Sequence, residues 1–221
     1  MSDLLGAHVS IAGGIEKCHS RGRKLNCETI QIFSHNQRTW KMKPLKEEEI
    51  NAFKEEREKH SIKKVAVHCS YLINMATPKD DLKEKSVDTL EKELERSDQL
   101  GCDFVVLHPG SSVGIEEEEG LDLVSQRISN ILNKKYQTTL LLESTAGMGN
   151  TLGYSFKQLN YLLDSIESDN VGICFDTCHS FAAGYNIRDE YESVFEEFHN
   201  TIGMENLMLF HLNDSKMEVG E

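Results

Sequence analysis

Proline is nearly missing from this chain, with three among 221 residues, and the 15 glycines form no repeat. No Pro-, Gly- or Ser-rich stretch reads as a linker, so residues 1–221 are expected to form a single domain around one large core. Long apolar runs are missing too; none approaches the ~20 residues of a membrane span. The opening MSDLLGAHVS has neither a basic leader nor the apolar core of a signal peptide. These absences predict a soluble protein kept inside the cell and off membranes, cytoplasmic in a bacterium or nuclear in a eukaryote.

Cys18, Cys27, Cys69, Cys102, Cys174 and Cys178 form no CxxC pair and no repeated spacing. A disulfide framework does not suit a chain of this size, and reduced thiols packed as small hydrophobes are expected. Basic residues are comparatively few: 24 Lys and Arg face 37 Asp and Glu, a formal net charge of −13. Alone, that balance argues against nucleic acid. Cations bound in an acidic cluster would weaken the argument, because they would be the largest local charges.

What the chain does have is a run of short apolar segments. Seven recur: Leu4–Val9, Thr29–Phe33, Lys64–His68, Phe104–His108, Thr138–Glu143, Val171–Asp176 and Leu207–Asn213. Helical spacing fills the intervals, as in Leu121, Val124, Ile128 and Ile131, or Tyr191, Val194, Phe195, Phe198 and Ile202. Ser155 with Gln158 fits a capping box, and Gly101 ends a helix expected from about Asp80 to Leu100. Alternating strands and helices predict an α/β fold with parallel strands. An open doubly wound sheet would gather its ligands at one switch point, whereas a TIM (β/α)8-type barrel gathers them from the C-terminal ends of nearly all its strands. Here His8, His68, His108, Glu143, Asp176 and His211 mark the ends of six of the seven runs. The barrel is therefore expected, with seven of its eight strands.

A carboxylate at the mouth of a buried strand is costly unless a cation or donor meets it. His68 follows VAV, His108 follows VVL, Glu143 follows LLL, Asp176 follows ICF and His211 follows MLF, with His179 three residues beyond Asp176. Any one of these alone is an ordinary strand-end histidine or salt-bridged acid. Their recurrence on strand after strand points to metal ligands. Imidazole and carboxylate without thiolate suit zinc, with manganese or iron open, and the ligand count exceeds one tetrahedral ion. Clustered metals are what in-line phosphoryl displacement uses. Among the loops, Gly147 and Gly149 could let backbone approach a phosphate or simply form a turn. Asn36, Gln37, Arg38 and Trp40 suit a nucleic-acid groove or an ordinary polar loop. Tyr71 and Leu72 could wedge into a base stack or merely pack.

The segments GAHVSIAGG (6–14), NQRTW (36–40), HCSYLIN (68–74), LHPGSS (107–112), ESTAGMGN (143–150), FDTCHSFAAGY (175–185) and HLNDSK (211–216) resemble endonuclease IV, the TIM-barrel apurinic/apyrimidinic endonuclease family. The resemblance runs in order from residue 4 to the end. It implies a monomeric three-zinc enzyme of base excision repair acting on double-stranded DNA. That enzyme would hydrolyse the backbone 5′ to an abasic site and leave a 3′-hydroxyl and a 5′-deoxyribose phosphate. By similarity His68 and His108 hold one zinc, and Glu143 bridges it to a second that Asp176 and His211 also bind. His179 belongs to the third. The attacking water would be activated by the metals, so no side chain need be the nucleophile. Arg38, Tyr71 and Leu72 match the loop residues that enter DNA at the lesion.

The chain departs from the family's pattern by ending at Glu221, before an Asp-x-His motif for the third zinc and an eighth strand with a Glu for the second. A truncated endonuclease IV with two unpaired strand edges is therefore expected. Two other readings stand beside it: a shortened homologue that binds abasic DNA or metal without cleaving, and a metal-dependent sugar isomerase or epimerase on the same barrel.

Overall fold

The computed structural model describes residues 4–221. Seven strands are present among them, each on an expected apolar run: β1 Gly6–His8, β2 Thr29–Ile32, β3 Lys64–His68, β4 Phe104–Leu107, β5 Thr139–Glu143, β6 Val171–Asp176 and β7 Leu207–His211. α-Helices fill the intervals between them, one in each except the last, which holds two: α1 Lys17–Lys24, α2 Glu47–Lys59, α3 Asp80–Leu100, α4 Glu117–Leu132, α5 Phe156–Ser165, α6 Thr177–Ala182 and α7 Tyr191–Thr201. β3 and β6 begin and end where the apolar runs do. Strands covered on both faces carry no polar alternation to blur their limits. No helix among the described residues is long and apolar enough to cross a membrane.

Contacts group the chain into two compact units. The first comprises Met1–Leu72, Asp88–Val106 and Tyr136–Thr139. In it β1, β2, β3 and β4 lie side by side in chain order, every pair parallel. Its core is built from Ile30, Ile32, Phe53, Val65, Val67, Leu90, Leu94 and Val105, all buried. α3 ends as expected: Gly101 takes φ +71°, and the N–H of Cys102 turns back to the carbonyl of Ser97 at 2.8 Å.

The second unit comprises Ile73–Val87, Leu107–Lys135 and Leu140–Glu221. There β5, β6 and β7 are again adjacent, parallel and in chain order. Neither unit reverses its strand order, so neither contains the switch point of a doubly wound sheet. α4 buries Leu121, Val124, Ile128 and Ile131 as their spacing requires. The α7 stripe is narrower than expected. Val194, Phe198 and Ile202 are buried as expected, while Phe195 is half-buried and Tyr191, at the exposed first turn, meets the Phe195 ring at 4.7 Å. The capping box at α5 is half formed. Ser155 Oγ accepts from the N–H of Gln158, but Gln158 Oε1 takes the N–H of Gly153 at 2.7 Å instead of reaching back. β7 also differs from a buried strand: Phe210 packs on Phe175 at 5.7 Å yet keeps 42% of its surface exposed. All six cysteines are free thiols, five of them buried.

One buried polar residue stands out in the first unit. His19 on α1 is fully buried, edge-on to Phe53 with ring centroids 4.3 Å apart. Burial, helped by the positive charges of Arg57 and His60, pushes its pKa from 6.5 down to about 4. Below pH 6.5 the unfolded chain takes up a proton that the folded chain refuses, so stability falls as pH drops from 6.5 towards 4. The loss from this residue approaches about 3 kcal/mol at the acid end. His19→Phe should flatten that part of the profile in urea unfolding between pH 7 and pH 4.5. An unchanged acid slope would show that His19 is not its source.

Candidate functional site

Five of the six predicted ligands belong to the second unit. His108 follows β4, Glu143 closes β5, Asp176 closes β6, His179 lies in α6 and His211 closes β7. Parallel register levels these ends: Glu143 stands beside Cys174, and Asp176 beside His211. The side chains converge on Glu143, which is 1% exposed. Its Oε2 lies 3.0 Å from His108 Nε2. Its Oε1 lies 2.9 Å from His211 Nδ1 and 3.3 Å from His179 Nδ1.

Asp176, equally buried, divides its oxygens between two tasks. Oδ1 accepts the N–H of His179 at 2.9 Å and caps the short helix α6. Oδ2 accepts from Asn213 Nδ2 at 2.6 Å and lies 3.6 Å from His211 Nδ1. The cap fixes the turn that brings His179 back over the strand end. His179 Nδ1 also donates to the carbonyl of Ser144 at 2.9 Å, which puts the imidazole lone pair on Nε2.

The electrostatics follow from two buried carboxylates side by side. Burial alone would raise the Asp176 carboxyl. The His211 hydrogen bond, the His179 N–H and the His179 charge hold it below the usual range instead. Burial would lower His211, but hydrogen bonds to Asp176, Cys174 and Glu143 together drive it up to about 12. His179 is raised as well, against its burial, by Glu143 and Asp176. Burial pushes the Cys174 thiol up to about 12, so it is no thiolate ligand. The pocket therefore draws positive charge. Glu143, Asp176 and His211 each offer one ligand atom, all within 4.8 Å of one another. This donor set fits a divalent cation of the zinc type, which would displace the imidazole protons. His179 stands outside that set of three.

His68 belongs to the first unit, buried at the end of β3. Its Nδ1 donates to the carbonyl of Cys69 at 2.7 Å, fixing the tautomer that carries its lone pair on Nε2. Arg38, Tyr71 and Leu72 share this unit. Arg38 is exposed on the β2–α2 loop, its N–H bonded to Asn36 Oδ1 at 3.1 Å. Tyr71 is 61% exposed, its ring 5.0 Å from that of His68. Ser70 ties the two loops together: its hydroxyl donates to the carbonyl of Gln37 at 2.7 Å and accepts from the N–H of Leu72. Gly147 and Gly149 both take positive φ, +72° and +64°, as a turn requires.

Three supporting residues escaped the sequence reading. Asn213 holds Asp176. Thr177 Oγ1 is bonded to the carbonyl of Asn213 at 2.7 Å and to its N–H at 2.9 Å. Ser144 Oγ accepts the N–H of Asp176 at 2.9 Å and meets Ser180 Oγ at 3.1 Å. A signal for Asn213 was present: it lies two residues beyond His211, on the same side of an extended chain.

Comparison with known proteins identifies the fold and the family. A family model described as a xylose isomerase-like TIM barrel matches residues 20–221. A probable endonuclease 4 of Chloroflexus aggregans is 46% identical over 220 residues, covering 97% of this chain and 77% of that protein. The crystal structure of endonuclease IV from Thermus thermophilus superimposes with a TM-score of 0.87 at 32% identity, covering 99% of this chain and 79% of the other. A D-tagatose 3-epimerase-like protein matches with a TM-score of 0.74 at 21% identity, a likeness of fold alone. The fold is thus the TIM barrel expected above, of the xylose isomerase-like kind.

Because Asn213 orients Asp176, Asn213→Ala should lower Zn2+ affinity by about 10–100-fold, measured by competition with a chromophoric chelator. Unchanged affinity would count against a supporting role for the amide.

Proposed function

This chain belongs to the endonuclease IV family, a family of nuclease hydrolases, and from that premise we propose a zinc-dependent AP endonuclease of DNA base excision repair. It cleaves double-stranded DNA 5′ to an abasic site, leaving a 3′-hydroxyl and a 5′-deoxyribose phosphate, and works as a monomer. The observation that carries the reading is the engagement of Glu143: its two oxygens face different imidazoles, His108 on one side and His211 on the other. A carboxylate so placed suits a bridge between two ions.

The residues divide into ligand groups as the family resemblance assigns them. His68 and His108 serve one zinc with Glu143, Asp176 and His211 serve a second with it, and His179 serves a third. When bound, such cations stabilise charge on the attacking and leaving oxygens of the phosphodiester and lower the pKa of water. The protein's own part is positional. Asp176 and Ser144 fix His179, Thr177 fixes the Asn213 backbone and the Asn213 amide in turn holds Asp176, and strand burial keeps bulk water from the two carboxylates. Dry surroundings strengthen each electrostatic contact with the phosphate.

Recognition falls to the loops. Arg38 and Tyr71, both exposed, are proposed to enter the duplex at the lesion with Leu72, the tyrosine ring taking the place of a lost stacking partner. A small sugar substrate would have no use for an exposed arginine beside an exposed aromatic.

Plasmid carrying abasic sites should be nicked by the native chain, and Glu143→Ala should abolish the nicking because one residue serves two metals. Native rates in that variant would sink the bridging role. Tyr71→Ala should weaken binding to abasic duplex by about 1–3 kcal/mol and to intact duplex far less. Equal losses on both duplexes would remove the tyrosine from lesion recognition.

A further inference from the structure

The first unit holds a second polar feature, set apart from the metal ligands. A pocket of about 350 Å³ opens where the β2–α2 loop meets α3, with Asn36, Thr39, Lys41, Lys43 and Arg96 on its walls. No carboxylate lines it, in a chain whose formal charge is −13. Two carboxylates outside the pocket act on Arg96. Glu93 is fully buried and already engaged, since Ser34 Oγ donates to its Oε2 and His35 Nδ1 stands 3.0 Å from its Oε1. Glu49 accepts the N–H of Lys46 at the start of α2. Neither lysine ammonium is paired with a carboxylate among the described residues.

The pocket is also braced. Arg96 donates from one terminal nitrogen to the carbonyl of Lys43 at 2.7 Å and from the other to the carbonyl of Ser34 at 3.0 Å. One guanidinium therefore pins both ends of the loop that carries Arg38. Within the loop, Asn36 Oδ1 accepts from the N–H of Arg38, and Thr39 Oγ1 accepts from the N–H of Lys41. Those bonds occupy acceptor oxygens and leave the Asn36 amide N–H groups and the Thr39 hydroxyl as donors. The result is three cations and two neutral donors around an open space, held in place before any ligand arrives.

We propose that this pocket is an oxyanion subsite that seats a backbone phosphate of duplex DNA immediately beside Arg38. The inference rests on the DNA reading above and adds to it a contact that contributes affinity and register without sensing the lesion. A phosphate there neutralises lysines that otherwise repel one another and releases condensed counterions, an effect indifferent to base sequence. It also gives an acidic protein a local basic foothold on a polyanion.

The test is the double variant Lys41→Gln/Lys43→Gln, both exposed positions, followed by fluorescence anisotropy with intact and abasic duplexes across a sodium chloride series. Affinity should fall several-fold for both duplexes alike, and the plot of log affinity against log salt should become shallower by about 1. Inorganic phosphate at matched ionic strength should displace duplex from the native chain more readily than from the variant. Unchanged affinity and slope, a loss confined to the abasic duplex, or equal displacement by phosphate would each overturn the subsite while leaving the DNA reading intact. A native chain that binds neither duplex would overturn the DNA reading and the subsite with it.

Discussion

Two carboxylates brought out of water on neighbouring strands set the terms for the second unit. Glu143 and Asp176 are both 1% exposed. Left without positive charge, either would cost several kcal/mol and one would take up a proton. Instead His108, His179 and His211 close around Glu143, while the Asn213 amide and the capping bond from the His179 N–H satisfy Asp176. The strands carry these groups to a common level because they run parallel and in register. Burying the carboxylates creates the demand for cations, and strand-end histidines are the side chains that can share such cations as ligands.

Much of this was legible in the sequence, for a physical reason. Parallel strands buried on both faces read as unbroken apolar runs, so the first polar residue after each run marks its C-terminal end. β3 ending on His68 and β6 ending on Asp176 were readable to the residue. What escaped depends on contacts between distant segments. The Asn213 amide on Asp176 spans 37 positions and the Arg96 brace on Ser34 spans 62, and neither has a local pattern. The α5 capping box failed in its second half because Gly153, in the preceding loop, offered Gln158 an N–H it could reach.

The acidic composition first argued against a nucleic-acid partner. Net charge, however, averages over a surface, whereas binding depends on where the charges lie. The first unit concentrates exposed Lys41, Lys43 and Arg38 along one loop, and no carboxylate lines the pocket beside it. The second unit confines its two key carboxylates to a site that attracts cations. The sum of −13 therefore does not speak against a polyanionic partner.

The most direct test of the central claim is the unfolding temperature of the native chain and of Glu143→Gln/Asp176→Asn, each with and without a strong chelator at pH 7.5. If the buried carboxylates are held by divalent cations, chelation lowers the native midpoint by several degrees and leaves the double variant unmoved. A native midpoint indifferent to the chelator, in protein shown to carry metal beforehand, would contradict it.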